Sequence, residues 1–503
     1  MMFTLVRIPG AEIELALLDW IVLIAYAFGM LFIGWFYSRK NKTKEDYLLG
    51  GRRMNPTAVG ISLFASLMST LTYLTYPGEL IKNGPVIFAG LLAFPLVYYV
   101  AGWWLIPRIM QMKVTSAYEI LELKLGLSVR MLATCMFLSL RLLWMATIIY
   151  VTVDVALFSV IQFDRSYVPA IGILLTTITL IYTSMGGLKA VVVTDVIQTM
   201  IFLGGAVISI AVVCFHLGSF SDLFPAQWPG HWDTLRLGFD PLERTTLGNA
   251  MLVIFVWYVC TTGSDQMAVQ RYLSTKDIHT ARRSFRVSLY SNLIAYLLLA
   301  LVGLAMFAYF SNNEQLLLAG KNIHEQADTL FPRFILIALP PGVSGLIIAG
   351  LLAAAMSSMS SGLNSVSSVV SEDLIKRFRK KGAPEPDPLK QVKKLSFITG
   401  VIVMALSFFV GEVQGNLLDV IMKVVNLFVA PLFVLFFMAL FVPFATERGT
   451  FLGGIISIVA AIAVAFYSAF GITVLWIMPT ALVVGIVSGI VLSYTDTRLF
   501  KPA

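Results

Sequence analysis

Runs of about twenty apolar residues recur along this chain at about 14–37, 56–80, 84–111, 131–160, 167–184 and 189–216, and again at about 246–270, 285–310, 340–372, 395–413, 417–443, 450–470 and 473–495. Each is long enough to cross about 30 Å of hydrocarbon as a helix. Lipid offers no partner to a bare peptide group, so only helices and closed barrels span it, and runs of this length select helices. The pattern predicts an all-α polytopic membrane protein with about thirteen crossings. Composition agrees: 58% of the 503 residues are hydrophobic and 13% charged, with a mean hydropathy of +0.85, far from an ordinary soluble domain. The first run is too long for a signal-peptide core and lacks a small-residue cleavage site, so a retained helix is expected. The three cysteines, Cys135, Cys214 and Cys260, each lie in an apolar run and indicate neither a disulfide framework nor a thiolate metal site.

A net charge of +8 would point to nucleic acid in a soluble protein, but its distribution excludes that reading here. When alternate loops are assigned to one side, 27 of the 36 lysines and arginines fall on that side, in 39–53, 108–130, 185–190, 271–286, 373–394, 443–450 and after 496. The positive-inside rule then places the N-terminus outside and the C-terminus in the cytoplasm of a plasma or bacterial inner membrane. The expected partners are the lipid bilayer and a small-molecule or anion substrate, with no nucleic acid and no obligatory protein partner. The segment 217–245 reads as an extracellular loop packed over the bundle.

Three apolar stretches carry polar residues that lipid cannot accommodate. In LLAAAMSSMSSGLNSVSSVVSE, residues 351–372, Ala354, Ser357, Ser358, Ser361, Asn364, Ser365 and Ser368 share one helical face and form a polar seam about four turns long. In the second crossing, Ala65, Ser66, Ser69, Thr70, Thr72 and Thr75 precede Pro77-Gly78, a pair able to free carbonyls from the helical ladder. Five crossings later Thr261, Thr262, Gly263, Ser264, Asp265 and Gln266 interrupt an apolar helix. Interrupted helices at corresponding positions of two halves point to a transporter of inverted five-helix repeats with a mid-membrane site. Asp195 is an ionisable residue inside a crossing and calls for a partner, either a bound cation or a basic side chain. Hydroxyls and freed carbonyls together supply the roughly five or six hard oxygens that a sodium ion takes. Small and hydroxylated residues serve close helix packing equally well, so these stretches alone leave both uses open.

The segments SMGGLKAVVVTDVIQ, SDQMAVQRYLSTKD and LLAAAMSSMSSGLNSVSSVVSEDL, with GGRRMNPTAVGISLFAS and TSAYEILE, resemble the sodium:solute symporter family from about residue 40 to 440. The resemblance implies a ten-helix core of two inverted five-helix repeats with flanking helices: 1–39 an N-terminal flanking helix, 40–217 the first repeat, 218–245 an extracellular loop, 246–443 the second repeat and 444–503 two flanking helices with a short tail. It implies sodium-coupled symport by alternating access, with one or two sodium ions. The main sodium site would use the carbonyls of Ala65, Met68 and Ala354 and the hydroxyls of Ser357 and Ser358. A second sodium would be held by Asp195, Ser357, Ser360 and Ser361, as in some members.

The substrate positions depart from the sugar-transporting members, whose polar residues are replaced here by Leu67, Leu91 and Met422, leaving nothing to bond sugar hydroxyls in the usual pose. Trp144 stands where sialic acid importers place an arginine that clamps a carboxylate, and Arg141 lies one turn away on the same face. Candidates for the solute cavity are therefore Leu67, Ser69, Thr70, Thr72, Leu91, Arg141, Trp144, Thr261, Thr262, Asp265 and Met422, with Trp144, Tyr73, Tyr76 and Tyr258 as a possible aromatic wall. Arg141 is expected to face the cavity or to pair with Asp154, and Lys423, one turn from Asp419, to snorkel or to form an ion pair; a cavity-facing position of either would favour an anionic substrate. The alternatives are a sugar symporter with a non-standard site and a symporter-like sensor or channel. An intramembrane enzyme is disfavoured, because His216, His231, His279 and His324 form no metal-ligand or protease pattern.

Overall fold

The computed structural model describes residues 15–40, 43–112, 114–157, 167–317, 320–379, 387–410 and 417–499. In chain order the helices are α1 (Leu17–Ser38), α2 (Lys44–Leu49), α3 (Pro56–Leu67), α4 (Thr70–Asn83), α5 (Pro85–Gln111), α6 (Glu119–Leu125), α7 (Leu127–Tyr150), α8 (Val168–Leu217) and α9 (Leu247–Ser264). There follow α10 (Gln266–Leu273), α11 (Ile278–Ser311), α12 (Ala327–Ala338), α13 (Val343–Val369), α14 (Pro388–Val410), α15 (Leu417–Phe441), α16 (Glu447–Tyr467) and α17 (Ile477–Leu499).

Among the described residues ten helices are long and apolar enough to cross a membrane, or eleven when α3 and α4, bent by 66°, form one span. The difference from thirteen lies in two elements. The run Ala170–Leu217 within α8 counts once, yet its 48 residues would extend about 72 Å at 1.5 Å each, more than twice the hydrocarbon thickness. Gly187, at φ 60° and ψ −165°, breaks it in two. That conformation is open essentially to glycine alone, and a Cβ there would lie 2.7 Å from the Tyr47 ring. The second element is α15, whose 25 residues, Leu417–Phe441, are long enough to span; Val425–Phe441 is its apolar part among the described side chains.

The first interruption is not at Pro77-Gly78. Asn55 caps α3, its side chain accepting from the backbone of Thr57 and Ala58, and Pro56 occupies the first turn, where no donor is needed. The helix then stops at Met68 (φ −98°, ψ 116°) and Ser69 (φ −121°, ψ 175°), both extended, and restarts at Thr70. Pro77 and Gly78 remain inside α4. Gly78 serves close approach instead, since a Cβ there would meet Asp328 at 2.4 Å. The second interruption falls at Asp265 (φ −82°, ψ 124°), between α9 and α10, as the sequence predicts.

The polar-seam helix α13 lies at the centre, packed along α8 and against α1, α3, α7 and α14. From Ser344 to Val369 nearly every residue is buried, so the seam faces protein rather than lipid. Over the C-terminal end of α4, Asp233 donates its backbone N–H to the Asn83 carbonyl at 2.8 Å, Trp232 Nε1 donates to the Ile81 carbonyl at 3.3 Å, and Arg244 bonds both Glu79 and Asp233. The 217–245 loop is thus fastened to the first broken helix.

Candidate functional site

The break at Met68-Ser69 leaves carbonyls without helical partners, and the seam helix supplies groups to meet them. Ser357 Oγ donates to the Ala65 carbonyl at 2.9 Å and to the Ala354 carbonyl at 3.1 Å, while Ser358 Oγ donates to the Met68 carbonyl at 3.2 Å. All five residues named for the main cation site therefore converge between α3 and α13, and all are buried. Four of them, Ala65, Met68, Ala354 and Ser357, border a void of about 10 Å³, lined also by Phe64, Gln198, Thr199 and Phe202, while Ser358 adjoins it through its bond to Met68. That is the space of roughly one water-sized sphere, which admits a small bare cation. Thr199 Oγ1 has no hydrogen-bond partner among the described residues and is a further oxygen at this void. It follows Asp195 by one helical turn, a spacing that could have marked it in the sequence.

Asp195 lies on α8 two turns beyond Gly187 and is completely buried. One carboxylate oxygen, Oδ2, accepts from Ser62 Oγ at 2.5 Å and faces Arg271 Nη2 at 3.4 Å, while Oδ1 has no partner. Arg271 also donates to Ser361 Oγ, which lies 2.9 Å from Ser66 Oγ. Ser360 Oγ donates to the Ser357 carbonyl at 3.0 Å. The four residues named for a second sodium are thus gathered around α13, but Arg271 stands between Asp195 and Ser361. Sequence reading placed Arg271 with the cytoplasmic loop cations. The structure corrects this: it is fully buried on α10, because a buried carboxylate requires an opposite charge.

Arg141 does not face the solute cavity. Its guanidinium forms a buried ion pair with Asp265 Oδ2, while Asp265 Oδ1 accepts from the backbone N–H of Met267 at 2.8 Å and caps α10. The helix break carries the carboxylate to the arginine, and pairing neutralises both charges. The side chains of Asp154, Asp419 and Met422 lie outside the described residues, so the roles expected of them, including a pairing of Lys423 with Asp419, lie there too.

Beside the first break is a cavity of about 90 Å³ lined by Leu67, Leu71, Thr72, Thr75, Tyr76, Trp144, Val253, Ile254, Trp257, Tyr296, Val425, Asn426 and Met478. Of the solute candidates among the described residues, only Leu67, Thr72 and Trp144 line it. Thr70 Oγ1 donates to the Leu351 carbonyl at 2.7 Å, Leu91 packs against the apolar core, and Ser69, Thr261 and Thr262 are buried away from the cavity. The expected aromatic wall divides: Tyr76 and Trp144 border the space, whereas Tyr73 packs on Phe202 and Phe331 and Tyr258 donates to Asn292 Oδ1 at 2.7 Å. Trp257 and Tyr296, which the sequence reading missed, complete the wall, with Tyr296 at 4.6 Å from the Tyr76 ring. Trp144 Nε1 and Thr75 Oγ1 are buried and without partners among the described residues, and Thr72, Tyr76, Trp257, Tyr296 and Asn426 add further polar groups to a lining otherwise made of apolar side chains.

On the cytoplasmic face of the expected topology, Arg130 of α7 pairs with Asp373, beyond the end of α13, and with Glu122 of α6 at 2.6 Å. Ser116 Oγ donates to Asp373 at 2.6 Å, and Arg377 pairs with Glu122 at 3.0 Å. The seam helix is thereby latched to the segment between α5 and α7.

Comparison with known proteins follows this geometry. A sodium/sialic acid symporter of Proteus mirabilis is 31% identical over 464 residues, covering 90% of this chain and 91% of that protein. Human sodium-coupled monocarboxylate transporter 1 is 30% identical over 441 residues, covering 86% of this chain and 70% of its own. A solved substrate-bound, outward-open state of a Na+-coupled sialic acid symporter superposes with a TM-score of 0.81 at 28% identity, over 97% of this chain and 99% of that one. The ten-helix core of two inverted five-helix repeats with flanking helices is thus the fold of this chain. The family model for the sodium:solute symporter family matches residues 47–457, and the chain belongs to that family.

Proposed function

We propose that this membrane-embedded protein couples sodium entry to the uptake of a compact organic solute by alternating access. The observation that carries this is the meeting of the Ala65, Met68 and Ala354 carbonyls with the Ser357 and Ser358 hydroxyls at a helix break beside a cavity lined mostly by apolar and aromatic side chains. Five uncharged oxygens hold a monovalent ion without trapping it, and Thr199 Oγ1 offers a sixth. Sodium at this place fixes the angle between α3 and α4, and hence the position of Leu67, Thr72, Thr75 and Tyr76 in the cavity wall. Each ligand therefore favours the conformation that binds the other, and the coupling is reciprocal. A second sodium is read at Asp195, Ser357, Ser360 and Ser361. The N-terminus is read as external and the C-terminus as cytoplasmic, on the distribution of lysine and arginine.

The solute is read as largely apolar, presenting a hydrogen-bond acceptor to Trp144 Nε1. Among the described residues no cation lines the cavity, and Arg141 is committed to Asp265. A small carboxylate is the second reading, favoured by what the sialic acid and monocarboxylate relatives carry, with a carboxylate oxygen meeting Trp144 and sodium supplying the opposite charge. Purified protein in proteoliposomes under an inward sodium gradient, offered matched pairs of uncharged and carboxylate solutes, tests both. Sodium-driven accumulation against a concentration gradient is expected. Equal solute flux with potassium in place of sodium would refute the reading. Preference for the carboxylate of each pair selects the second reading over the first.

A further inference from the structure

A second cavity shares no lining residue with the one beside the first break and is built from different chemistry. It has a volume of about 710 Å³ and is lined by Arg52, Lys276, His279, Arg282 and Asp277, with Pro107, Met110, Gln111, Leu273, Thr275 and Ile278 as its remaining walls. Three permanent cations and a histidine face one carboxylate. That carboxylate is fully charged: Asp277 caps α11, and hydrogen bonds from the Thr280 backbone and hydroxyl hold it below the usual carboxylate range. Arg52 is turned partly toward Glu45, at 2.9 Å, outside the cavity. Lys276 is 72% exposed and, among the described residues, pairs with Asp277 at 3.8 Å. The cavity is therefore a basic concavity with a net positive charge.

Its depth relative to the bilayer is marked by aromatic side chains. The Arg282 guanidinium lies over the Trp103 ring at 3.9 Å, and its Nε donates to the Gly102 carbonyl at 2.7 Å. Trp103 and Trp104 are each about half exposed (51% and 50%) on the outer face of α5. Half-exposed tryptophans on a spanning helix belong at the headgroup level. From there toward mid-membrane the same face presents Tyr99, Leu96 and Leu92, all exposed, a surface for acyl chains. On α11, Arg286 and Tyr290 continue the exposed face beyond Arg282. The cavity thus lies beside the headgroup level marked by Trp103, through its lining residue Arg282, on the side where lysine and arginine concentrate.

We infer that this concavity is a binding site for an anionic phospholipid of the cytoplasmic leaflet, with its phosphate between Lys276, His279 and Arg282 and its chains along Trp103, Tyr99 and Leu96. Basic pockets at this level recognise acidic headgroups, and each cation near the surface strengthens the attraction. The site joins the start of α11, the end of α5 and the turn after α10, so the lipid bridges the second broken helix to its neighbours. It does not depend on which solute is carried.

The test uses the full-length protein in nanodiscs of phosphatidylcholine titrated with phosphatidylglycerol, with lipid retained after delipidating washes read by native mass spectrometry. Soluble glycerol phosphate is added in a parallel arm. The wild type is expected to retain phosphatidylglycerol in preference to phosphatidylcholine. Lys276→Glu, which reverses one exposed charge, is expected to reduce that retention roughly tenfold. Lys390→Glu makes the same change outside the cavity and is expected to alter retention less than about twofold. Equal losses in the two variants would mean a diffuse charge effect and overturn the site. Displacement by millimolar glycerol phosphate would assign the cavity to a soluble anion and overturn the lipid.

Discussion

Arg271 Nη2 and Asp195 Oδ2 face each other at 3.4 Å in the interior, with both side chains shut away from solvent. Neither charge has another full countercharge among the described contacts, so removing one strands the other. Arg271→Gln is expected to lower stability by about 3–5 kcal/mol, and Asp195→Asn/Arg271→Gln to lose less than the sum of the single changes. Thermal unfolding of the four proteins in one detergent checks this. The same pair bears on the second sodium: if an ion binds there, Asp195→Asn reduces the sodium-to-solute ratio. A ratio unchanged by the substitution would leave Arg271 as the sole cation of Asp195.

Ser358→Ala removes a hydroxyl from the five-oxygen cluster without disturbing the backbone. Loss of one buried oxygen contact amounts to about 1–3 kcal/mol, so the sodium concentration for half-maximal uptake is expected to rise roughly tenfold. Maximal uptake at saturating sodium should fall much less. An unaltered sodium curve would remove Ser358 from the ion site.

Trp144→Phe keeps the aromatic wall and deletes the unpartnered N–H. An acceptor on the solute then loses a bond of about 0.5–1.5 kcal/mol, raising KM by roughly two- to twelve-fold with the sodium response preserved. A KM that does not move in a radiotracer assay would mean that the solute does not touch Nε1.

Gly187→Ala forces a Cβ into backbone at φ 60° and toward the Tyr47 ring 2.7 Å away. The strain is about 1–3 kcal/mol, and the turn between the two halves of α8 is expected to be the first part to open. Hydrogen exchange should show this as faster exchange around 183–190, together with a lower unfolding temperature.

The legible parts of this protein were those set by local chemistry. Span lengths follow from apolar runs, and the interruption at Asp265 follows from five polar residues and a glycine in a helix otherwise made of apolar residues. The seam of α13 was visible because serine spacing on one face is a one-dimensional pattern. The break at Met68-Ser69 was displaced in the reading toward Pro77-Gly78 because those are the local breakers. The real break is stabilised from elsewhere, by the Ser357 and Ser358 hydroxyls nearly three hundred positions along the chain. Arg141 and Asp265, 124 residues apart, and Arg271 and Asp195, 76 apart, could not be paired from spacing alone. Buried arginine looks like loop arginine until the countercharge is in place.

One carboxylate ties two moving parts together. Asp265 caps α10 with one oxygen and grips Arg141 with the other, and Arg141 stands one turn before Trp144 on α7. A rotation of α7 that swung the indole out of the solute chamber would tug at the hinge of the second broken helix, and a swing of that hinge would turn the indole. The chamber wall and the hinge are geared, like two wheels sharing a tooth, and a drive applied to either is transmitted to both.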